Sequence, residues 1–242
     1  MKHFKVYQTE VDFLNNKDTH KYPTISYIKE SQSCDWTLRT PLFDWVDLGL
    51  PSGLRWAAWN VGATKPEEIG LYFAWGETQG YTGITDEKQF SWADYEYSVD
   101  AKGTSMSKYN NTDNLLFLEE ENDVGKELNY KYFMPSRDDV LELINNTTTA
   151  WTQVNGVYGC RFTSKINGNS IFIPAAGDCG DGKINDFGDY GSTWTSYRYA
   201  ANAKNAYVLY FENGHMSANY VDSRYRGFPI RLVRQKPSIL ER

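Results

Sequence analysis

The chain predicts an α+β fold with a mixed, mostly antiparallel sheet. Three observations carry that expectation. Two short segments with helical signals lie among a series of strand–turn–strand patterns, and one long stretch between them has no periodicity. The last apolar alternation is placed to pair back near the start of the domain. With 242 residues, 40% of them hydrophobic, 16% aromatic and 23% charged, the chain is globular and long enough to bury a substantial core.

Residues 1–40 read as an N-terminal arm for assembly or attachment. FKVYQ and TISYIKE alternate at a strand-like period of two and are separated by the polar NNKDTHKYP. The arm is too small to hold a core alone, so it is expected to pair with a partner chain or with the main domain, residues 41–235. That domain opens with WVDLGLPSGLRWAAWNVGA, a strand, a Pro-Ser-Gly turn and a second strand ending at Gly62. KPEEIGLYFAWGE then predicts a short helix. Pro66, Glu67 and Glu68 suit its first turn, Ile69, Phe73 and Ala74 share one face, and Gly76 stops it. Residues 79–130 form a long, aromatic-dotted irregular loop, packed over the core by its rings or functional, with Glu119 to Glu121 as a solvated face.

MPSRDDVLELINN is the clearest helix. Ser136 caps it, Asp139 follows three residues later, and Val140, Leu141, Leu143 and Ile144 supply the buried stripe. GCRFTSKINGNSIFIPAAG is a hairpin turning at Asn167-Gly168. AGDCGDGKINDFGDYG is a Gly/Asp loop. Three short strands follow within Gly191–Arg234, the second and third joined at Glu212-Asn213-Gly214, and residues 236–242 are expected to fray as a tail.

Several function classes lose their footing at this level. A net charge of −6 argues against nucleic acid or an anionic membrane as partner. Cys34, Cys160 and Cys179 are irregularly spaced, with no CxxC and no neighbouring His, so buried free thiols are expected rather than a metal site or a disulfide framework. No 18-residue apolar window exists, which argues against membrane insertion. MKHFKVYQTEVDFLNN also lacks a signal-peptide run, so exposure outside a cell is expected by another route, such as a particle released by lysis. The histidines are only His3, His20 and His215, leaving almost no material for a Ser-His-Asp or Cys-His arrangement, and no enzyme is predicted. Asp178, Asp181, Asp186 and Asp189 lack the alternating spacing and distal Glu of an EF-hand; an ordinary Asp/Gly turn is expected, and no metal or cofactor is assigned.

What remains is surface recognition, and Gly191–Arg234 is where the material for it collects. Six of the 18 tyrosines fall there, with Arg, Ser and Asn beside them, residue types that make contacts at low entropic cost. Apolar Trp194, Leu209, Phe211, Met216, Ile230 and Val233 are interleaved with them. Six basic residues against Glu212 and Asp222 give this stretch +4, leaving −10 elsewhere.

WVDLGLPSGLRWAAWNVGA with PEEIGLYFAWGET, then MPSRDDVLELI, then NGVYGCRFTSKINGNSIFIPAAG, and finally NAYVLYFENG with RGFPIRLVR closely resemble the Fibrobacter succinogenes major paralogous domain family, which has a C-type-lectin-like fold. The resemblance runs from about Phe43 to Arg234, with the motifs in order. The chain also looks like the variable proteins of diversity-generating retroelements, which display randomised side chains on a fixed scaffold, often at the tip of a phage tail. FKVYQTEVDFLNN and YPTISYIKES are similar to the leader segment of such phage-associated proteins. The carbohydrate-ligating triplets of calcium-dependent lectins are absent.

The resemblance implies a C-type-lectin-like domain with two short helices, a mostly antiparallel sheet and long irregular loops, in which Ala206, Leu209, Phe211, Met216, Ile230 and Val233 are scaffold and Arg224, Gly227, Arg231 and Arg234 close the fold. It implies variable, outward, ligand-binding positions at Tyr197, Arg198, Tyr199, Val208, Tyr210, His215, Ser217, Asn219, Tyr220, Asp222, Ser223 and Tyr225. Adenine-directed mutation of Asn codons yields Tyr, Ser, Asp, His, Arg and Val, the types present. The function expected is a non-enzymatic adhesin or receptor-binding protein for a bacterial cell-surface protein or glycan. It would be located on a virion or a bacterial surface, as a homotrimer or attached to a phage tail through the arm. The alternative is a carbohydrate-binding or structural surface module whose Trp92, Tyr95 and Tyr97 stack on sugars.

Overall fold

The computed structural model describes residues 43–236, together with the backbone pairing of β1 (Ser26–Tyr27) with β2 (Leu38–Arg39). That pairing places a strand within TISYIKE; FKVYQ, His3, His20, Cys34 and residues 237–242 lie outside the described residues. From Phe43 onward the chain builds mostly antiparallel sheets with two short helices. None of the described helices is long and apolar enough to cross a membrane.

The predicted first hairpin forms, as β3 (Trp45–Asp47) and β4 (Arg55–Ala57) with Trp45 opposite Ala57. The last strand, β14 (Val233–Arg234), does return to the start. It lies between β4 and β5 (Tyr132–Phe133), with Val233 opposite both Trp56 and Phe133. Val233 and Trp56 are fully buried, so closure of the chain is driven by apolar burial across that pairing.

The second sheet is β6 (Thr147–Val154), β7 (Val157–Ser164) and β8 (Ser170–Pro174). The Asn167-Gly168 hairpin joins β7 to β8 as expected. β6 was not anticipated, although Asn155-Gly156 carries the same turn signal; with φ of 49° and 85°, the pair has the left-handed backbone of a type I′ turn. The predicted Gly/Asp loop contains a small hairpin, β9 (Asp178–Gly180) against β10 (Lys183–Asn185), turning on Asp181-Gly182. The third sheet is β11 (Tyr190–Arg198), β12 (Asn205–Glu212) and β13 (His215–Ser223), joined at Glu212–Gly214 as the sequence indicated.

The helix over MPSRDDVLELINN forms as α2 (Arg137–Asn146), with a capping box between Ser136 and Asp139. Val140 and Leu143 are buried and Leu141 and Ile144 partly so. The helix expected after Pro66 does not form. Gly70 has φ 78°, and a Cβ there would stand 2.3 Å from the Val61 carbonyl oxygen, so the chain turns tightly instead of coiling. Tyr72 and Phe73 are extended and bridge Tyr81 and Phe228. Glu68 folds back to accept hydrogen bonds from the Thr64 amide and hydroxyl, while Glu67 accepts from the Asn155 side chain. The other short helix is α1 (Val124–Leu128), inside the long irregular region and capped by Asp123.

Two apolar clusters make the core. One gathers Trp75, Tyr95, Tyr97, Tyr109, Trp194, Val208 and Phe228; the other gathers Trp56, Val140, Leu143, Phe162, Ile173, Leu209 and Phe211. The β11–β13 sheet separates them. Successive residues of a strand point to opposite faces, so Ala206 and Val208 enter the first cluster while Leu209 and Phe211 enter the second.

Candidate recognition surface

The closing arginines hold the scaffold. Fully buried Arg231 donates to Asn60 Oδ1 (2.9 Å), the Ala57 carbonyl (3.0 Å) and the Phe172 carbonyl (2.9 Å), tying β4 to β8. Burial among these neutral acceptors disfavours its charge and pulls its pKa down. Arg224, also fully buried, donates to Tyr95 Oη, the Tyr109 and Ala203 carbonyls and the Lys108 carbonyl. Its guanidinium lies 4.8 Å from the Trp75 ring and within 5.7 Å of Tyr95, Tyr97 and Tyr109. Residues 79–130 are thereby packed over the core by their aromatics. Tyr95 and Tyr97 are 3% and 5% exposed and donate to the Trp75 and Gly76 carbonyls, and half-buried Trp92 packs on Tyr95 and Tyr225. The sugar-stacking role expected for Trp92, Tyr95 and Tyr97 has no exposed triad to support it, because Arg224 and backbone carbonyls engage Tyr95 and Tyr97 while Trp92 packs on Tyr95 and Tyr225.

Of the twelve predicted site residues, three are not outward. Val208 is fully buried because it falls on the inward phase of β12. Arg198, 2% exposed, spends its guanidinium on the Leu115 and Tyr199 carbonyls and Asn111 Oδ1, anchoring the long loop. Tyr225 lies against Trp92 with its hydroxyl donating to Asp181 Oδ2 at 3.2 Å. The other nine reach the surface at least in part.

Apart from Ser223 at the end of β13, those nine divide between the two faces of the β11–β13 sheet, because alternation along β12 sends Tyr207 and Tyr210 to opposite sides. One group is Tyr210, Tyr220, His215, Ser217 and Asp222. Tyr210 stacks on Tyr220 at 4.5 Å and on Tyr190 at 5.4 Å, with the His215 ring 6.0 Å away. Burial pushes the Tyr210 hydroxyl up to about 12, helped by the hydrogen bond it gives Glu212. Beside this stack opens a cleft of about 580 Å³ whose lining includes Asp181, Lys183, Ile184 and Asp186. Its floor is nearly fully buried Asp178, which accepts from Tyr190, Asn185 and Arg226. Arg226 also pairs with Asp222 at 3.2 Å, and burial raises the Asp222 pKa.

The second group is Tyr197, Tyr199 and Asn219. Phe117, 55% exposed, stacks on Tyr197 at 4.5 Å with the planes 7° apart, Tyr197 stacks on Tyr207 at 5.4 Å, and Tyr199 meets Tyr207 edge-on. Arg137, the first residue of α2, lies 5.4 Å over Tyr207 and donates to Asn219 Oδ1. Phe117, Arg137, Tyr190 and Tyr207 are thus parts of the surface that sequence reasoning missed. Tyr207 was legible, since it alternates with inward Ala206 and Val208; Phe117 and Arg137 arrive from distant segments.

Among the described residues, no group of three or more His, Cys, Asp or Glu side chains is placed to hold a metal ion. Cys160 and Cys179 are buried free thiols, and burial pushes them up to about 11 and about 12, far from thiolate reactivity at neutral pH. Comparison with protein-family models, with curated proteins and with solved structures finds no match for the chain.

Proposed function

We propose that the protein is a non-enzymatic adhesin or receptor-binding protein of C-type-lectin-like fold, a retroelement-diversified variable protein whose C-terminal sheet binds a protein or glycan on a bacterial cell surface. Its N-terminal arm attaches it to a phage tail or a comparable particle. The observation that supports this reading is the interleaving in β11–β13: fully buried Trp194, Val208, Leu209 and Phe211 alternate with partly or fully exposed Tyr197, Tyr199, Tyr210, His215, Asn219 and Tyr220. Substitutions at exposed positions away from caps and networks change stability by about 0.5 kcal/mol or less, whereas truncating a buried Leu or Phe costs about 2–5 kcal/mol. One set is therefore free to vary while the other holds the fold. The exposed rings are already stacked on one another, so little side-chain entropy is left to lose on binding.

Sequencing sibling copies of the gene from one population tests this. Substitutions should concentrate at Tyr197, Tyr199, Tyr210, His215, Ser217, Asn219, Tyr220, Asp222 and Ser223, with Arg198, Val208 and Tyr225 restricted by burial. Substitutions scattered evenly over β11–β13 would refute the reading.

A further inference from the structure

A strand at the edge of a sheet presents unpaired N–H and C=O groups, and native proteins cover or blunt such edges. In the three larger sheets every edge but one is so treated. In the first, β3 is three residues long and the Asn167 and Asn169 side chains donate to the Asp47 carbonyl, while β5 has two residues. In the third, β11 is bonded along its outer side by the Pro135 carbonyl and by Leu116 and Leu118. β13 is bulged, since Val208 pairs with Tyr220 but Tyr210 pairs with Ser217, and it carries His215 and Asp222. β8 ends at Pro174, and Arg231 donates to its Phe172 carbonyl.

β6 has none of these devices. It is eight residues long, outermost in its sheet, and in unbroken register with β7 from Thr147–Ser164 to Val154–Val157. Thr148, Thr149, Ala150 and Gln153 are exposed, and no other described strand or backbone group bonds its outer side. In a chain with 56 charged residues, none occurs from Asn145 to Cys160. On its face, Trp151 lies 6.1 Å from the Tyr158 ring with the planes 15° apart, prolonging a flat aromatic surface up to the edge.

We infer that β6 is a self-association edge, pairing antiparallel with β6 of a second copy of this chain to form a two-fold dimer with a continuous six-stranded sheet. The occupant follows from charge. The chain carries a net −6, so two copies approach at least cost where neither presents charge, and the uncharged β6 set against its own copy brings no like charges together. A strand pair alone buries less than the roughly 1,200–2,000 Å² of a tight interface, so the dimer exchanges with monomer as concentration changes.

Light scattering of the full chain over a concentration series should show a mass rising from 27.8 kDa toward twice that value. Ala150→Lys and Ala150→Glu, at an exposed position, should each keep the far-ultraviolet circular dichroism of the parent and remain monomeric over the same range. In the parent, amide hydrogen exchange across 148–153 should slow as concentration rises while exchange along β13 stays unchanged. A parent that stays monomeric, a folded Ala150 variant that still dimerises, an assembly that is trimeric or larger, or concentration-independent exchange in β6 would each overturn the inference.

Discussion

At the residue scale, several buried charged side chains are each held by a specific set of partners. Asp123 is the sharpest case. Its carboxylate accepts from the Gly125, Lys126 and Met134 amides, so one side chain caps α1 and anchors the chain where it leaves β5. Burial outweighs those bonds and pushes its pKa from 3.8 up to about 6. Protons therefore bind more tightly to the folded chain. The stabilisation this group contributes is complete below about pH 4 and is lost as pH rises through 6, a change of about 3 kcal/mol at 1.36 kcal/mol per unit. Denaturant unfolding at pH 4 and pH 7 should show that loss in the parent, and Asp123→Asn, which cannot titrate, should lack it. Which arginines are structural was readable from their matching pattern, and Arg224 and Arg231 are buried accordingly. Arg198 was expected to face outward because the resemblance implies a variable position there, and its burial rests on a contact with the Leu115 carbonyl, 83 residues away.

At the element scale, local signals succeeded where a segment's own side chains satisfy its backbone. The Ser136–Asp139 capping box closes within four residues, and α2 forms as its sequence states. Ser136→Ala should cost about 1 kcal/mol by thermal or denaturant unfolding while leaving the fold unchanged. The segment after Pro66 shows the opposite outcome. Its acidic first turn and apolar spacing suit a helix, but the tight passage of Gly70 beside Val61 and the pairing of Phe73 with Phe228 demand an extended chain, and tertiary contacts override propensity. β6 was overlooked for a different reason. It is a run of threonines with only weak alternation, and its signal is the turn Asn155-Gly156 rather than the strand itself.

At the scale of the whole molecule, distant segments are joined by a few buried cations. Arg231 links β4, Asn60 and β8 across 59 to 174 residues of sequence. Arg231→Met should leave three buried acceptors unmatched and cost about 3 kcal/mol or more, measured as a lower denaturant midpoint with the slope preserved. The candidate surface belongs to this scale too. Its second aromatic row is completed only when the long loop delivers Phe117 to Tyr197 and the start of α2 delivers Arg137 to Tyr207.

Read alone, the sequence places the mostly antiparallel sheets, the α2 helix, the Asn167-Gly168 hairpin, the three C-terminal strands and the return of the last strand to the first hairpin. These rest on periodicity and turn chemistry, which act between neighbours along the chain. The division of the predicted surface between two faces, the inward turn of Arg198, Val208 and Tyr225, and the packing of Trp92, Tyr95 and Tyr97 against the core emerge from the assembled fold. Those outcomes depend on which segments meet across the two apolar clusters. Burial and hydrogen-bond satisfaction are properties of that meeting, and no local pattern encodes them.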